Sequence, residues 1–259
     1  MIDTCVIFCG GKGTRLEEVT RGFVPKPLVP INNYPLIYLI MRYYLNNGVR
    51  NFYLLAGHQS IEIKKFVRDI ALYDGPFSLV NGVGCFETAT FANCKIHVVD
   101  TGEDTQTGGR LAQIEHLLDV ENFYLTYGDG IADVDLKSLT QVHLSNNASL
   151  TLTSVNPVGR FGDLDISGEF VRAIREKTKQ NTHWINGGFM CVNRRIFNHL
   201  RMSNICEMPF ELEPMASVAE LGKLFTAKHN GFWQCCDNRR DWEQLCNYMT
   251  TNKLSWIFK

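Results

Sequence analysis

The sequence has no Cys-x-x-Cys pair among its nine cysteines, and its seven histidines share no metal-ligand spacing with them. A zinc site and a disulfide framework are thereby excluded as organising features. An odd number of unframed cysteines points to reduced, mostly buried thiols, and adjacent Cys235 and Cys236 read as strand residues. Neither sign of charge is in excess: 26 Lys and Arg face 27 Asp and Glu, a formal net charge of −1. Bulk attraction to nucleic acid or to an anionic membrane is therefore not expected, and any site for a polyanion has to be assembled locally. Long apolar runs are missing too; the longest, residues 36–41, is far too short to span a bilayer. Asp3 interrupts the N-terminus and no small-residue cleavage pattern follows, so no signal peptide is expected, and a cytoplasmic location is. No linker, low-complexity tract or repeat divides the 259 residues, which are read as one domain, 1–259.

What the chain does have is alternation. Residues 4–8, 51–56, 95–99, 122–127 and 149–155 are short apolar runs of strand character. Between them, 35–47, 61–72, 107–118 and 136–144 carry helical apolar spacing, the first stopped at Gly48. This order predicts an α/β protein, a Rossmann-like three-layer α/β/α arrangement around a mixed, mostly parallel sheet. Residues 74–93 read as irregular, a long loop or a small excursion. Beyond 161 the texture changes to short strands and turns (164–166, 171–176, 185–192), read as a small antiparallel sheet extension. Residues 194–201 and 210–221 read as helices, 224–228 and 231–235 as strands, and 241–250 as a closing amphipathic helix.

The first strand opens into Cys9-Gly10-Gly11-Lys12-Gly13-Thr14-Arg15-Leu16, followed by Pro25-Lys26-Pro27. Three glycines within four positions let the main chain approach a phosphate and turn successive N–H groups toward its oxygens. Arg15 and Lys26 would add full charges to those dipoles. The stretch is not a P-loop, since no Lys-Ser/Thr pair follows the second glycine of a Gly-x-x-x-x-Gly. Nor is it the dinucleotide fingerprint, because Leu16 stands where its last glycine belongs. A purely structural turn stays open on this stretch alone.

Three further constellations carry chemistry. In Tyr127-Gly128-Asp129-Gly130 an aspartate ends a parallel strand, where open α/β sheets bind ligands. Mg²⁺ takes carboxylate and phosphate oxygens, so one or two aspartates with a nucleotide would suffice. Asp237, behind another apparent strand, is the candidate second ligand, and either aspartate could instead cap a turn. In Thr105-Gln106-Thr107-Gly108-Gly109-Arg110-Leu111, glycines opening a helix fit a base or phosphate against the backbone. Arg110 either faces a phosphate or pairs at the surface. Glu176-Lys177 and Asn186, with Arg160-Phe161-Gly162 nearby, suit a polyol phosphate, or else Glu176 and Lys177 form an exposed ion pair.

Gly-Gly-x-Gly-Thr-Arg-Leu followed by Pro-Lys-Pro resembles the signature of the sugar-phosphate nucleotidyltransferases, the nucleoside-diphosphate-sugar pyrophosphorylases. Segments 99–102, 107–111, 127–130, 159–162, 186–189 and 231–234 extend the likeness in family order, and look like the branch that uses CTP. The resemblance implies the nucleotide-diphospho-sugar transferase fold, with 1–155 mainly nucleotide-binding and 156–259 mainly acceptor-binding. It implies that Gly10, Gly11, Gly13, Thr14 and Arg15 hold the triphosphate, with Thr107 and Gly109 at the base and Arg110 and Gly128 in the same site. Arg15 and Lys26 would be catalytic, Asp129 and Asp237 would bind Mg²⁺, and Gly162, Glu176, Lys177 and Asn186 would surround the acceptor.

The implied activity is transfer of CMP from CTP to a phosphorylated acceptor with release of pyrophosphate. The expected acceptor is α-D-glucose 1-phosphate, giving CDP-glucose for surface polysaccharide, and a homo-oligomer is implied as well. There are departures from the family pattern: Phe23-Val24 replaces the first Lys of Lys-Pro-Lys-Pro, Asn33-Tyr34 replaces Gly-Lys, Thr178 follows Lys177 where proline is usual, and Asn238-Arg239 follows Asp237. These keep open another acceptor, such as a different sugar phosphate or an amino-acid-derived phosphate like phosphoglutamine. A non-catalytic nucleotide sensor is the second alternative; it predicts damage to Arg15, Lys26 or the aspartates, and all are present.

Overall fold

Thr4–Phe8 forms a strand because all five of its residues are apolar or β-branched, and all five are buried, as a central parallel strand covered on both faces requires. A computed structural model describes residues 2–73, 80–81, 86–91, 93–157, 163–167, 170–175 and 184–258. Thr4–Phe8 pairs in parallel with Asn51–Ala56 on one side and Asn122–Tyr127 on the other. Its side chains alternate: Cys5 and Ile7 join one apolar layer, Val6 and Phe8 the other. The first layer is closed by helices Leu36–Asn46 and Arg239–Thr250. The second is closed by Thr107–Gln113, the 3₁₀ segment Arg194–Leu200 and Glu213–Glu220.

Among the described residues the main sheet has nine strands. From one edge they run Leu224–His229, Leu150–Val155, Ile185–Asn193, Asn122–Tyr127, Thr4–Phe8, Asn51–Ala56, Cys94–Asp100, Phe86–Phe91 and Val80–Asn81. Most are parallel; Ile185–Asn193 and Phe86–Phe91 run against their neighbours. The mixed, mostly parallel α/β fold is thus as expected, and so is the small antiparallel extension, a hairpin of Asp163–Ser167 and Phe170–Arg175.

Three expectations need correcting. Residues 185–192 are expected in the extension, but Ile185–Asn193 is threaded into the main sheet, with seven consecutive buried residues from Gly187 onward. A strand that is apolar on both faces carries no mark of which sheet it joins. Residues 74–93 are expected to be irregular, yet Phe86–Phe91 pairs with Cys94–Asp100 in register from Phe86↔Val99 to Phe91↔Cys94. It covers an edge that would otherwise present unpaired N–H and C=O groups. The helix expected over 107–118 ends at Gln113 and is followed by a 3₁₀ turn, Glu115–Leu117.

One short pairing brings distant acidic residues together. Trp233–Cys235 runs antiparallel to Gly130–Ala132, with Cys235 opposite Gly130. The amide of Cys236 then donates to the Asp129 carbonyl at 2.8 Å. That register places Asp129 and Asp237, 108 positions apart, side by side.

Candidate active site

A cavity of about 470 Å³ opens at the carboxyl ends of Thr4–Phe8, Cys94–Asp100 and Asn122–Tyr127. Such a crevice, where successive connections leave a parallel strand to opposite sides, is where α/β sheets take ligands. Its floor is the glycine loop. Cys9 is still held by the Leu55 carbonyl (2.9 Å), after which Gly10, Gly11, Gly13, Thr14 and Arg15 line the cavity. Gly13 has φ +62°, and a Cβ on it would fall 2.9 Å from Lys26 Cβ, so glycine is needed there on both counts. Gly128 lets two strand ends close up: its amide donates to the Phe8 carbonyl at 2.9 Å, and a Cβ would lie 2.8 Å from that same oxygen.

Lys26 is the electrostatic centre. Its Nζ donates to Asp129 Oδ2 at 2.7 Å and to Asp237 Oδ1 at 2.6 Å, and its side chain is only 15% exposed. Burial alone would lower the ammonium's pKa, but Asp129 and then Asp237 outweigh it, and the pKa is raised above the ordinary lysine value. Arg15 stands at the rim, 80% exposed, its Nη1 3.9 Å from Asp237 Oδ2. The two carboxylates therefore converge on one cation. Hard oxygen donors of this kind suit Mg²⁺. Among the described residues no cluster of three or more His, Cys, Asp or Glu could hold a metal, so the protein offers two ligands and a bound nucleotide would complete the set.

The helix that follows the cavity is built differently from expectation. Gly108 and Gly109 face protein: added Cβ atoms would fall 2.5 Å from the Met208 carbonyl and 2.6 Å from Cys206 Cα, respectively. They let Thr107–Gln113 press against the 205–208 turn, and Gly109 does not line the cavity. Thr107 does line it, but its hydroxyl is engaged, donating to Glu211 Oε2 (2.8 Å) and accepting from the Phe210 amide (2.8 Å). Glu211 also accepts from the Tyr127 hydroxyl at 2.5 Å, and burial, then Glu211, raises the Tyr127 pKa. Sequence reasoning passes over Glu211; a carboxylate between Pro209 and Pro214 is the available signal. Arg110, expected to face a phosphate or pair at the surface, instead buries its guanidinium among backbone oxygens. Lys12 and Asp104, from opposite sides of the cavity mouth, meet at 2.9 Å.

On the acceptor side, Asn186 is exposed and accepts from the Gly188 amide at 3.0 Å, with Tyr127 as a further neighbour. It is not among the cavity-lining residues. Gly162, Glu176 and Lys177 lie outside the described residues.

Comparison with known proteins adds four findings. Residues 4–233 match the nucleotidyl transferase family model. A glucose-1-phosphate cytidylyltransferase of Salmonella typhi is 35% identical over 254 residues, 97% of either chain. A probable glucose-1-phosphate cytidylyltransferase of Bacillus subtilis is 34% identical over 250 residues, covering 96% of this chain and 94% of that one. Among solved structures, HddC from Yersinia pseudotuberculosis has the same fold, with a TM-score of 0.68 at 25% identity over 96% of this chain and all of its own.

Proposed function

The chain belongs to the nucleotidyl transferase family, and from that premise we propose that it transfers CMP from CTP to glucose 1-phosphate, giving CDP-glucose and pyrophosphate. One observation carries the choice of nucleotide and acceptor: the likeness to cytidylyltransferases of that specificity runs nearly end to end in both chains. Residues 1–155 then serve mainly the nucleotide and 156–259 mainly the acceptor, with Gly162, Glu176, Lys177 and Asn186 assigned to the latter. The same reading includes a homo-oligomer in the cytoplasm, supported by the family resemblance and by the absence of disulfides among the described cysteines.

The reaction is an in-line displacement. An acceptor phosphate oxygen bonds to the α-phosphorus of CTP as the bond to the α–β bridging oxygen breaks, and that electron pair leaves with pyrophosphate. A phosphate monoester is already anionic at neutral pH, so no general base is required. What remains is alignment and charge stabilisation. The loop amides between Gly10 and Thr14 hold the leaving pyrophosphate, and Arg15, long and exposed at the rim, folds over it. Lys26 neutralises charge at the α-phosphate, with one of its three N–H donors left over by the two carboxylates. Asp129 and Asp237 would hold Mg²⁺, which would supply positive charge to offset that of the phosphates.

Pyrophosphate release measured with each of the four ribonucleoside triphosphates against a panel of acceptor phosphates tests this reading. CTP with glucose 1-phosphate is expected to be fastest. Turnover of CTP with some other phosphate alone would move the acceptor assignment, and no release with any pair would overturn the enzymatic reading.

A further inference from the structure

Arg110 borders the cavity, yet it is a cation that the reaction as written leaves without a role. It is 4% exposed, and no carboxylate forms an ion pair with it among the described residues. Its Nη1 donates to the carbonyl of Ala56 (3.0 Å), Thr101 Oγ1 (2.6 Å) and the carbonyl of Gly102 (2.8 Å). Its Nη2 donates to the carbonyls of Gly10 (2.9 Å) and Glu103 (3.2 Å). These acceptors belong to the ends of Thr4–Phe8, Asn51–Ala56 and Cys94–Asp100, so one planar fork ties three adjacent parallel strands together at the cavity.

The surroundings are cut to fit that fork. A Cβ on Gly10 would fall 2.2 Å from Arg110 Cζ, and one on Gly57 2.1 Å from Nη1. Gly10 is glycine at least partly to clear this side chain, and Gly57 does so from outside the cavity lining. The held peptides also have a direction. A trans peptide is planar, with its C=O and N–H pointing opposite ways. Peptides 10–11, 102–103 and 103–104 each turn the carbonyl toward Arg110, so the amides of Gly11, Glu103 and Asp104 are turned away from it. All three residues line the cavity.

We propose that Arg110 is a positioning residue for phosphate binding: by fixing these peptides it aims their amides at the triphosphate, and it acts on the nucleotide through them. The inference rests on the reading of the glycine loop as the pyrophosphate cradle. It separates Arg110 from a contact with the base and from a diffuse role of its charge.

Equilibrium binding of CTP, pyrophosphate and CMP to the full-length protein tests it, with Arg110→Lys, Arg110→Met and Gly57→Ala beside wild type. Lysine keeps the charge and loses the fork, so Arg110→Lys is expected to weaken pyrophosphate and CTP by about 10–100-fold, nearly as much as Arg110→Met. CMP, which lacks the β- and γ-phosphates, is expected to change by less than about threefold. Gly57→Ala displaces the guanidinium from a position outside the cavity lining and is expected to give the same selective loss; it decides the matter if the Arg110 variants do not fold. Pyrophosphate affinity unchanged in Arg110→Lys or Gly57→Ala would overturn the proposal, as would CMP weakening in step with CTP. A wild type that binds neither CTP nor pyrophosphate would instead overturn the functional reading beneath it.

Discussion

Lys26 separates two acids that would otherwise repel each other, and this fixes what its loss should do. Lys26→Ala removes the only cation within 3 Å of both Asp129 and Asp237 among the described residues, and with it the charge set beside the reacting phosphorus. Steady-state pyrophosphate release is expected to fall on the order of 10²–10³-fold, and turnover within a few-fold of wild type would reject the role. A second residue titrates for structural reasons alone. His143 is buried, its Nδ1 3.0 Å from Thr151 Oγ1 and its Nε2 3.2 Å from Asn122 Oδ1. Burial, and to a lesser degree Arg195, push its pKa down to about 4. The native state thus disfavours the protonated ring while the unfolded chain accepts the proton near pH 6.5. Its contribution is complete above about pH 6.5 and is lost as pH falls toward 4, amounting to about 3 kcal/mol. Urea unfolding near pH 7 and near pH 4.5 is expected to show that loss, and His143→Gln is expected to reduce it; an equal pH dependence in the two proteins would refute the assignment.

Between elements, Gly128 and Phe8 make a close backbone approach at the site. Gly128→Ala sets a Cβ 2.8 Å from the Phe8 carbonyl and 3.3 Å from Pro27 Cγ, so the ends of Thr4–Phe8 and Asn122–Tyr127 have to part. Urea denaturation is expected to report a cost of about 1–3 kcal/mol; a neutral result would mean that the strand ends yield easily. How far such elements are legible in the sequence depends on what marks them. Asn51–Ala56 and Asn122–Tyr127 are legible to the residue, because apolar runs bounded by turns leave little choice. Ile185–Asn193 is legible as a strand but not as a member of the main sheet, since pairing partners leave no trace in a locally apolar stretch. The neighbourhood of Asp129 and Asp237 depends on the register of Trp233–Cys235 against Gly130–Ala132, which no local pattern encodes. The glycines mislead in a consistent way. As sequence they suggest room for a ligand, and at positions 10, 108 and 109 they also make room for protein: a guanidinium in the first case and the 205–208 backbone in the others.

For the molecule as a whole, a cavity assembled from three strand ends couples ligand binding to global stability. CTP at about a hundredfold over its dissociation constant is expected to add about 2.7 kcal/mol and raise the melting temperature, with pyrophosphate acting in the same direction. A melting curve that ignores both would place the nucleotide elsewhere. The order of strands carries one more consequence. Leu150–Val155 is flanked only by Ile185–Asn193 and Leu224–His229, both drawn from later in the chain. A fragment ending at residue 155 would keep that strand without either neighbour and would leave Asn122–Tyr127 with a bare flank. The proposed division of labour between nucleotide and acceptor is therefore not a line along which the polypeptide can be cut: made separately, 1–155 and 156–259 should each fail to melt cooperatively, and only their co-expression should restore a protein that binds CTP.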